Sequence, residues 1–325
     1  VVVLIRDLLT DAVFAASSGL RGAASTPGRR WNAAIFAALR GVFLNAEHRD
    51  VHAIRRQLDW MWWAELPRRR VASRRMSAGG VPAVELLPAN AGRTILFLHG
   101  GGYAVGSTAS HAVLMADLAL AAQARVIGLD YRLAPEHPFP AALEDARAAW
   151  RWLMRSGTAP DRVVLVGDSA GGGLAVILAA DLAARGEAQP AGVVTLSPWV
   201  DLTLSGASVQ QNAHRDFIAV PERIGAFGRA YAGGLPLDHP GLSPALHPLP
   251  RIAPLLIHVG TAEILLDDAR RLARRATEAG VHVTLEEWPD MVHVWHAMTL
   301  LVPEAREAVE RVGAWVREVA PDTSR

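Results

Sequence analysis

The 325-residue chain contains no cysteine, which excludes disulfides, thiolate metal sites and cysteine nucleophiles. It contains no lysine either, so all 33 basic Lys/Arg positions are arginine; Schiff-base chemistry and a Walker-type phosphate lysine are thereby excluded. No uninterrupted apolar run reaches the roughly 20 residues that span a bilayer. The opening Val1-Val2-Val3-Leu4-Ile5 is cut short by Arg6 and Asp7, unlike the core of a signal peptide. The first residue is not Met, so a removed leader stays open; a cytoplasmic enzyme is the expectation. A formal net charge of +1 gives no general attraction for nucleic acid. Residues 1–93 nevertheless hold 14 arginines against 7 acidic residues. The densest stretch, Arg68-Arg69-Arg70 with Arg74-Arg75, could face a polyanion or a membrane surface, but a solvated connector is the expected role.

What is present is apolar and periodic. At 51% hydrophobic residues, the chain can bury one large α/β domain with a small accessory element. From about residue 71 onward, strand-like runs at 81–87, 94–98, 125–129, 162–166, 193–196, 254–259 and 281–288 alternate with helical patterns at 109–122, 140–155, 170–185, 265–279 and 303–319. That alternation predicts a mostly parallel sheet with helices on both faces. Residues 1–70 are helical in pattern and carry Trp31, Phe36, Phe43, Trp60, Trp62 and Trp63. Residues 198–250 are irregular and proline-rich, with one short helix near 221–231. Neither offers strands, so both are expected to form a cap over the C-terminal edge of the sheet, where open α/β folds place their sites. The alternative for 1–70 is simple packing on the flank.

The chemistry centres on Gly167-Asp168-Ser169-Ala170-Gly171. It follows the apolar run Val163-Val164-Leu165-Val166 and precedes a long apolar helical stretch, the context in which Gly-x-Ser-x-Gly forms a nucleophile elbow. A serine hydroxyl is a poor nucleophile at neutral pH and needs a base, a group that orients the base, and an oxyanion hole. His99-Gly100-Gly101-Gly102-Tyr103 directly follows a predicted strand. It offers the N–H groups of Gly101 and Gly102, to be joined by that of Ala170 after the serine.

In this chain order the base lies downstream of the serine. His214, His239 and His247 fall in the irregular segment, and His258 and His282 fall inside predicted strands. His293 lies in the loop after the last strand, at the end where the site belongs, and is the expected base. His296, three residues on, could suggest a metal pair, but no third ligand accompanies it; a substrate wall or helix start is the expected role. The acid should follow strand 254–259, where Glu263 is the first carboxylate. Asp267 is the alternative, although Asp267 and Asp268 have the placement of helix-start residues. No cofactor or metal is called for.

Four separated segments, 99–103, 130–142 (Asp-Tyr-Arg-Leu-Ala-Pro-Glu-His-Pro-Phe-Pro-Ala-Ala), 167–172, and 260–268 with 290–293, resemble the bacterial hormone-sensitive-lipase-like (family IV) esterases of the α/β-hydrolase superfamily. The resemblance implies an eight-stranded sheet, an N-terminal helical cap, hydrolysis of short- to medium-chain carboxylic esters, and a triad of Ser169, His293 and the acid at position 263. It also implies a homodimer. Many members carry aspartate where this chain has Glu263, a side chain one methylene longer with the same charge. An amidase, carbamate hydrolase or deacetylase would use the same triad, and a non-catalytic ligand receptor on this fold is a remoter alternative.

Overall fold

The computed structural model describes residues 50–63 and 71–322. In chain order its elements are α1 (Val51–Trp63), β1 (Ala72–Ala78), β2 (Val81–Leu87), β3 (Arg93–Leu98), α2 (Ala112–Ala122), β4 (Ala124–Leu129), α3 (Ala141–Arg155), β5 (Val163–Asp168), α4 (Ala170–Ala184), β6 (Gly192–Leu196), α5 (Ala207–Gln211), α6 (Pro221–Ala232), β7 (Leu255–Gly260), α7 (Leu266–Glu278), β8 (Val283–Trp288) and α8 (Pro303–Val319). The strands form one eight-stranded sheet in the order β1-β2-β4-β3-β5-β6-β7-β8. Only β2 runs against its neighbours.

Why the central strands are continuous apolar runs follows from their two-fold periodicity. In β3, Leu96 and Leu98 join the core on the face of α3, α4 and α7, while Ile95 and Phe97 join the core under α2 and α8. In β5, Val163 and Leu165 point one way and Val164 and Val166 the other. Both faces are covered, so a polar residue has no solvated face to occupy. From adjacent strands β3 and β5, the chain leaves toward opposite edges of the sheet, to β4 and to β6. Their C-terminal ends therefore flank the crevice where such sheets bind ligands.

Two expectations are corrected. Strand β1 had no apolar signature, because its sequence Ala-Ser-Arg-Arg-Met-Ser-Ala is exposed over most of its length. Arg74 and Arg75 accordingly lie in an edge strand rather than in a connector, a placement in which cations discourage edge-to-edge pairing. Arg74 and Arg125 both bond the buried Glu85 on β2. The second correction is that the last strand begins at Val283, so His282 precedes it rather than lying inside it. Arg68, Arg69 and Arg70, and the expected cap residues 1–49 and 64–70, lie outside the described residues. Among the described residues no helix is long and apolar enough to cross a membrane.

Candidate active site

The elbow is built by close backbone approach. A Cβ on Gly171 would run into the carbonyls of Leu98 and His99 at the end of β3, and one on Gly167 into the carbonyl of Gly171. Ser169 itself sits at φ 51°, ψ −120°, a sparsely populated region for a residue with a side chain. It is held there by three backbone bonds: Ser169 N→Leu196 O (2.8 Å), Gly173 N→Ser169 O (3.1 Å) and Trp199 N→Ser169 O (3.0 Å).

The glycine loop after β3 turns back on itself, with the amides of Ala104 and Val105 both donating to Gly101 O. Gly101 has φ 115°, and a Cβ there would strike the Val105 carbonyl. The loop is tied to the elbow through Gly100 N→Asp168 Oδ1 (3.0 Å). Among the described residues no backbone acceptor takes the N–H of Gly101, Gly102 or Ala170. The other oxygen of Asp168 lies 3.2 Å from His111 Nε2. Burial alone would raise the Asp168 carboxyl, but the charge and hydrogen bond of His111, with His99 and the Gly100 N–H, outweigh it and hold it below the ordinary aspartate value. His99 stacks on Tyr131 (4.3 Å between centroids), whose hydroxyl donates to His99 O (2.6 Å).

The structure brings the expected base and acid to the serine. His293 Nε2 is 2.9 Å from Ser169 Oγ, and His293 Nδ1 is 2.9 Å from Glu263 Oε2. Glu263 is fully buried. Its second oxygen accepts from Ser197 Oγ (2.7 Å) and Gly260 N (2.6 Å). Ser197 Oγ in turn accepts from Val294 N (3.1 Å), so one hydroxyl spans the acid loop and the base loop. Burial disfavours a charged His293, but the Glu263 hydrogen bond and the charges of Glu263, Asp216 and Asp168 prevail, so His293 binds its proton more tightly than an ordinary histidine.

The rejected candidates stand elsewhere. Asp267 accepts from Ser208 N (2.9 Å) and opens α7. Asp268 accepts from the amides of Val200 and Asp201, and burial together with the Asp201 charge pushes its carboxyl up to about 8. His258 and His296 are fully buried against each other, Nδ1 to Nε2 at 3.2 Å. Among the described residues no group of three His, Cys, Asp or Glu side chains stands as metal ligands would. His239 accepts from Gly241 N, and His247 meets Asp238 O.

Four residues at the site were not singled out in the sequence. Asp168 stood only as the neighbour of the serine, and His111 only as one residue within the 109–122 helical pattern. Ser197 and Asp216 carried no signal, because a short polar residue in a loop looks alike whether it faces water or a buried carboxylate.

The chain matches a family model described as alpha/beta hydrolase fold over residues 95–297. It is 48% identical over 226 residues to an acetyl-hydrolase of Streptomyces hygroscopicus, covering 70% of this chain and 76% of that protein. It is 39% identical over 233 residues to an ethyl acetate hydrolase of Pseudomonas putida, covering 69% and 73%. The crystal structure of an esterase from the bacterial hormone-sensitive lipase family superposes with a TM-score of 0.86 at 40% identity, covering 92% of this chain and 100% of that one. With its sheet order, elbow and glycine loop, the chain belongs to the hormone-sensitive-lipase-like family of α/β hydrolases and is a carboxylic ester hydrolase.

Proposed function

We propose that the enzyme is a serine carboxylesterase that cleaves short- to medium-chain acyl esters through an acyl-enzyme, with Ser169, His293 and Glu263 as its triad. The observation that carries this reading is the unbroken hydrogen-bonded line from Ser169 Oγ through His293 to Glu263, with both links at 2.9 Å. His293 removes the Ser169 proton as Oγ attacks the ester carbonyl. The oxyanion is held by the N–H groups of Gly101, Gly102 and Ala170, donors worth on the order of 10²–10³ in kcat where one has been removed. Glu263 keeps the imidazole in the tautomer with Nδ1–H and stabilises the imidazolium. His293 then hands its proton to the leaving alkoxide, and a water activated by the same base releases the acid.

In this reading α1 and residues 198–250 form part of the cap. Arg55 on α1 donates to Ala104 O (2.8 Å) and Ala134 O (2.7 Å) and pairs with both oxygens of Glu136. These contacts seat the helix beside the glycine loop. From α6, Phe227 packs over Gly102 so closely that a Cβ there would collide with its ring. Tyr231 stacks on Tyr103 at 3.8 Å. The preference for short to medium acyl chains follows the names of the relatives, an acetyl-hydrolase and an ethyl acetate hydrolase. A cytoplasmic homodimer belongs to the same proposal, with sedimentation as its check.

Ser169→Ala should abolish turnover of a p-nitrophenyl acyl ester and labelling by a fluorophosphonate probe; retained turnover would overturn the assignment. An acyl series should peak at short to medium chains. A preference for anilides or carbamates would favour the amidase or carbamate-hydrolase alternative, and an unlabelled wild type would favour a receptor.

A further inference from the structure

Ser208, Asn212 and Asp216 recur every four residues in the segment that follows β6. The backbone bonds Asn212 N→Ser208 O (2.9 Å) and Asp216 N→Asn212 O (2.9 Å) carry the helical turn of α5 past its end, so the three side chains share one face. All three are buried. They lie on the loop between β7 and α7 that carries Glu263.

A loop at this depth has peptide groups with no strand or helix to satisfy them, and each must find a partner. Thr261 N and Ala262 N donate to Trp288 O and Met291 O in the direction of the base loop. Glu263 N turns back to Gly260 O (3.2 Å), and five further groups meet the polar face. Ser208 Oγ donates to Ile264 O (2.6 Å) and accepts from Asp267 N (3.1 Å). Asn212 Nδ2 donates to Glu263 O (2.7 Å) and Thr261 O (3.2 Å). Asp216 Oδ2 accepts from Ile264 N (3.1 Å), while its Oδ1 accepts from Ala219 N (3.0 Å) and Ile218 N (3.2 Å). The peptide unit immediately after the Glu263 Cα is thus clamped at both polar ends, its carbonyl by Asn212 and its N–H by Asp216. At the outer edge Arg215 reaches both Thr261 O (3.4 Å) and Asp290 Oδ1 (2.9 Å), in the base loop.

We propose that Asn212 and Asp216 are positioning residues that fix the plane of the peptide following Glu263, and through it the point where the carboxylate meets His293, with Ser208 bracing the next peptide. This rests on Glu263 being the acid of the triad. Orienting that one peptide sets the direction of the Glu263 side chain, and a displacement of about 1 Å in a catalytic group can lower turnover up to about 100-fold. The same face also brings the Asp216 carboxylate beside the triad.

The test is a double-mutant cycle on a short-chain aryl ester, read together with the low-field proton resonance of the His293 Nδ1–H in the full-length enzyme. Asn212→Ala should lower kcat roughly 10–100-fold with KM within about twofold, and should shift or weaken the resonance. In the Glu263→Ala background the same change should alter kcat by less than about twofold. Asn212→Ala that leaves both kcat and the resonance intact would overturn the proposal, as would an equal loss in both backgrounds. Turnover retained in Ser169→Ala would instead defeat the triad reading, with the resonance still reporting on the positioning.

If Asn212→Ala fails to fold, Asp216→Asn supplies the second measurement. The charged or titratable groups facing His293 are Glu263, Asp216, Asp168 and His296. Removing the Asp216 charge should therefore move the acid limb of kcat/KM to lower pH and disturb the resonance. An unmoved limb with an unmoved resonance would count against the assignment.

Discussion

The site contains two buried carboxylates that each meet a histidine, and they behave in opposite ways. On the elbow side, Asp168 meets His111 at 3.2 Å and is held below its ordinary pKa by His111, His99 and a backbone N–H working against burial. On the acid side, Glu263 meets His293 at 2.9 Å, yet burial and the repulsion of Asp216 outweigh the imidazole and raise it. The chemical pair is the same. What differs is the company, a second histidine on one side and a second carboxylate on the other, and where the imidazole's free nitrogen points. Only His293 turns it on Ser169. A carboxylate–histidine contact in a pocket is therefore not evidence of a base; the third partner decides.

The largest expected effect that would break this comparison comes from truncating the proposed acid. Glu263→Ala should lower kcat by about 10⁴-fold, the scale seen when the acid of such a triad is removed, while Asp267→Ala should stay within a few-fold. If the Asp267 change alone is crippling, the assignment of the acid is wrong. Next comes Asp168→Asn, which weakens the tie to Gly100 and removes one charge acting on His293, while leaving the Ser169–His293–Glu263 hydrogen bonds in place. A drop of about 10²-fold in kcat with little change in KM is expected, since the glycine loop would lose its placement for the oxyanion. An unchanged kcat would reduce Asp168 to a packing residue.

Smaller, and diagnostic of charge, is the pH profile. The base must be neutral to act and its pKa is raised, so kcat/KM should fall as pH drops through a value above the 6.5 of a free imidazole. A limb below 6.5 would mean that Glu263 is not ionised beside it. The smallest effect belongs to a third pair, His258–His296, in which the partner is another imidazole. Burial, with a smaller contribution from the Arg311 charge, lowers His258 to about 3. The unfolded chain takes up that proton near 6.5 and the folded chain does not, so stability should decline as pH falls from 6.5 toward 3. The slope is about 1.4 kcal/mol per pH unit for each such histidine. Urea titrations at pH 7 and pH 5 would measure it, and His258→Leu should flatten the slope; an unchanged slope would assign the acid sensitivity elsewhere.

How much of this was legible beforehand divides along physical lines. Strands with two buried faces announced themselves as apolar runs, and β2 and α8 fell on their expected boundaries, Val81–Leu87 and Pro303–Val319. Glycines that tolerate no Cβ marked the elbow and the glycine loop. His293 and Glu263 could be expected near each other because a parallel sheet puts the ends of β7 and β8 side by side, and the two side chains do meet at 2.9 Å. Strand β1 was missed because it is exposed and pairs through its backbone, which carries no hydrophobic pattern. The residues 207–216 were taken as irregular because α5 spans only Ala207–Gln211 and its buried face is polar. A period of four in Ser208, Asn212 and Asp216 was present, but a helix face turned toward a loop's peptide groups leaves no apolar stripe to detect.

The contacts of Gly171 have a consequence for how this sequence can change over time. Its would-be side chain collides with the carbonyls of Leu98 and His99, atoms that every amino acid carries alike. A side-chain collision could be relieved by shrinking the neighbour, so that two mutations together are tolerated where one is not. No replacement at 98 or 99 removes a carbonyl. The elbow glycine is thus closed to compensated drift, and a mutagenesis library aimed at new substrates gains nothing by sampling there, whereas the nearest contact at Gly102 is a side chain, Phe227, which a second mutation can shrink.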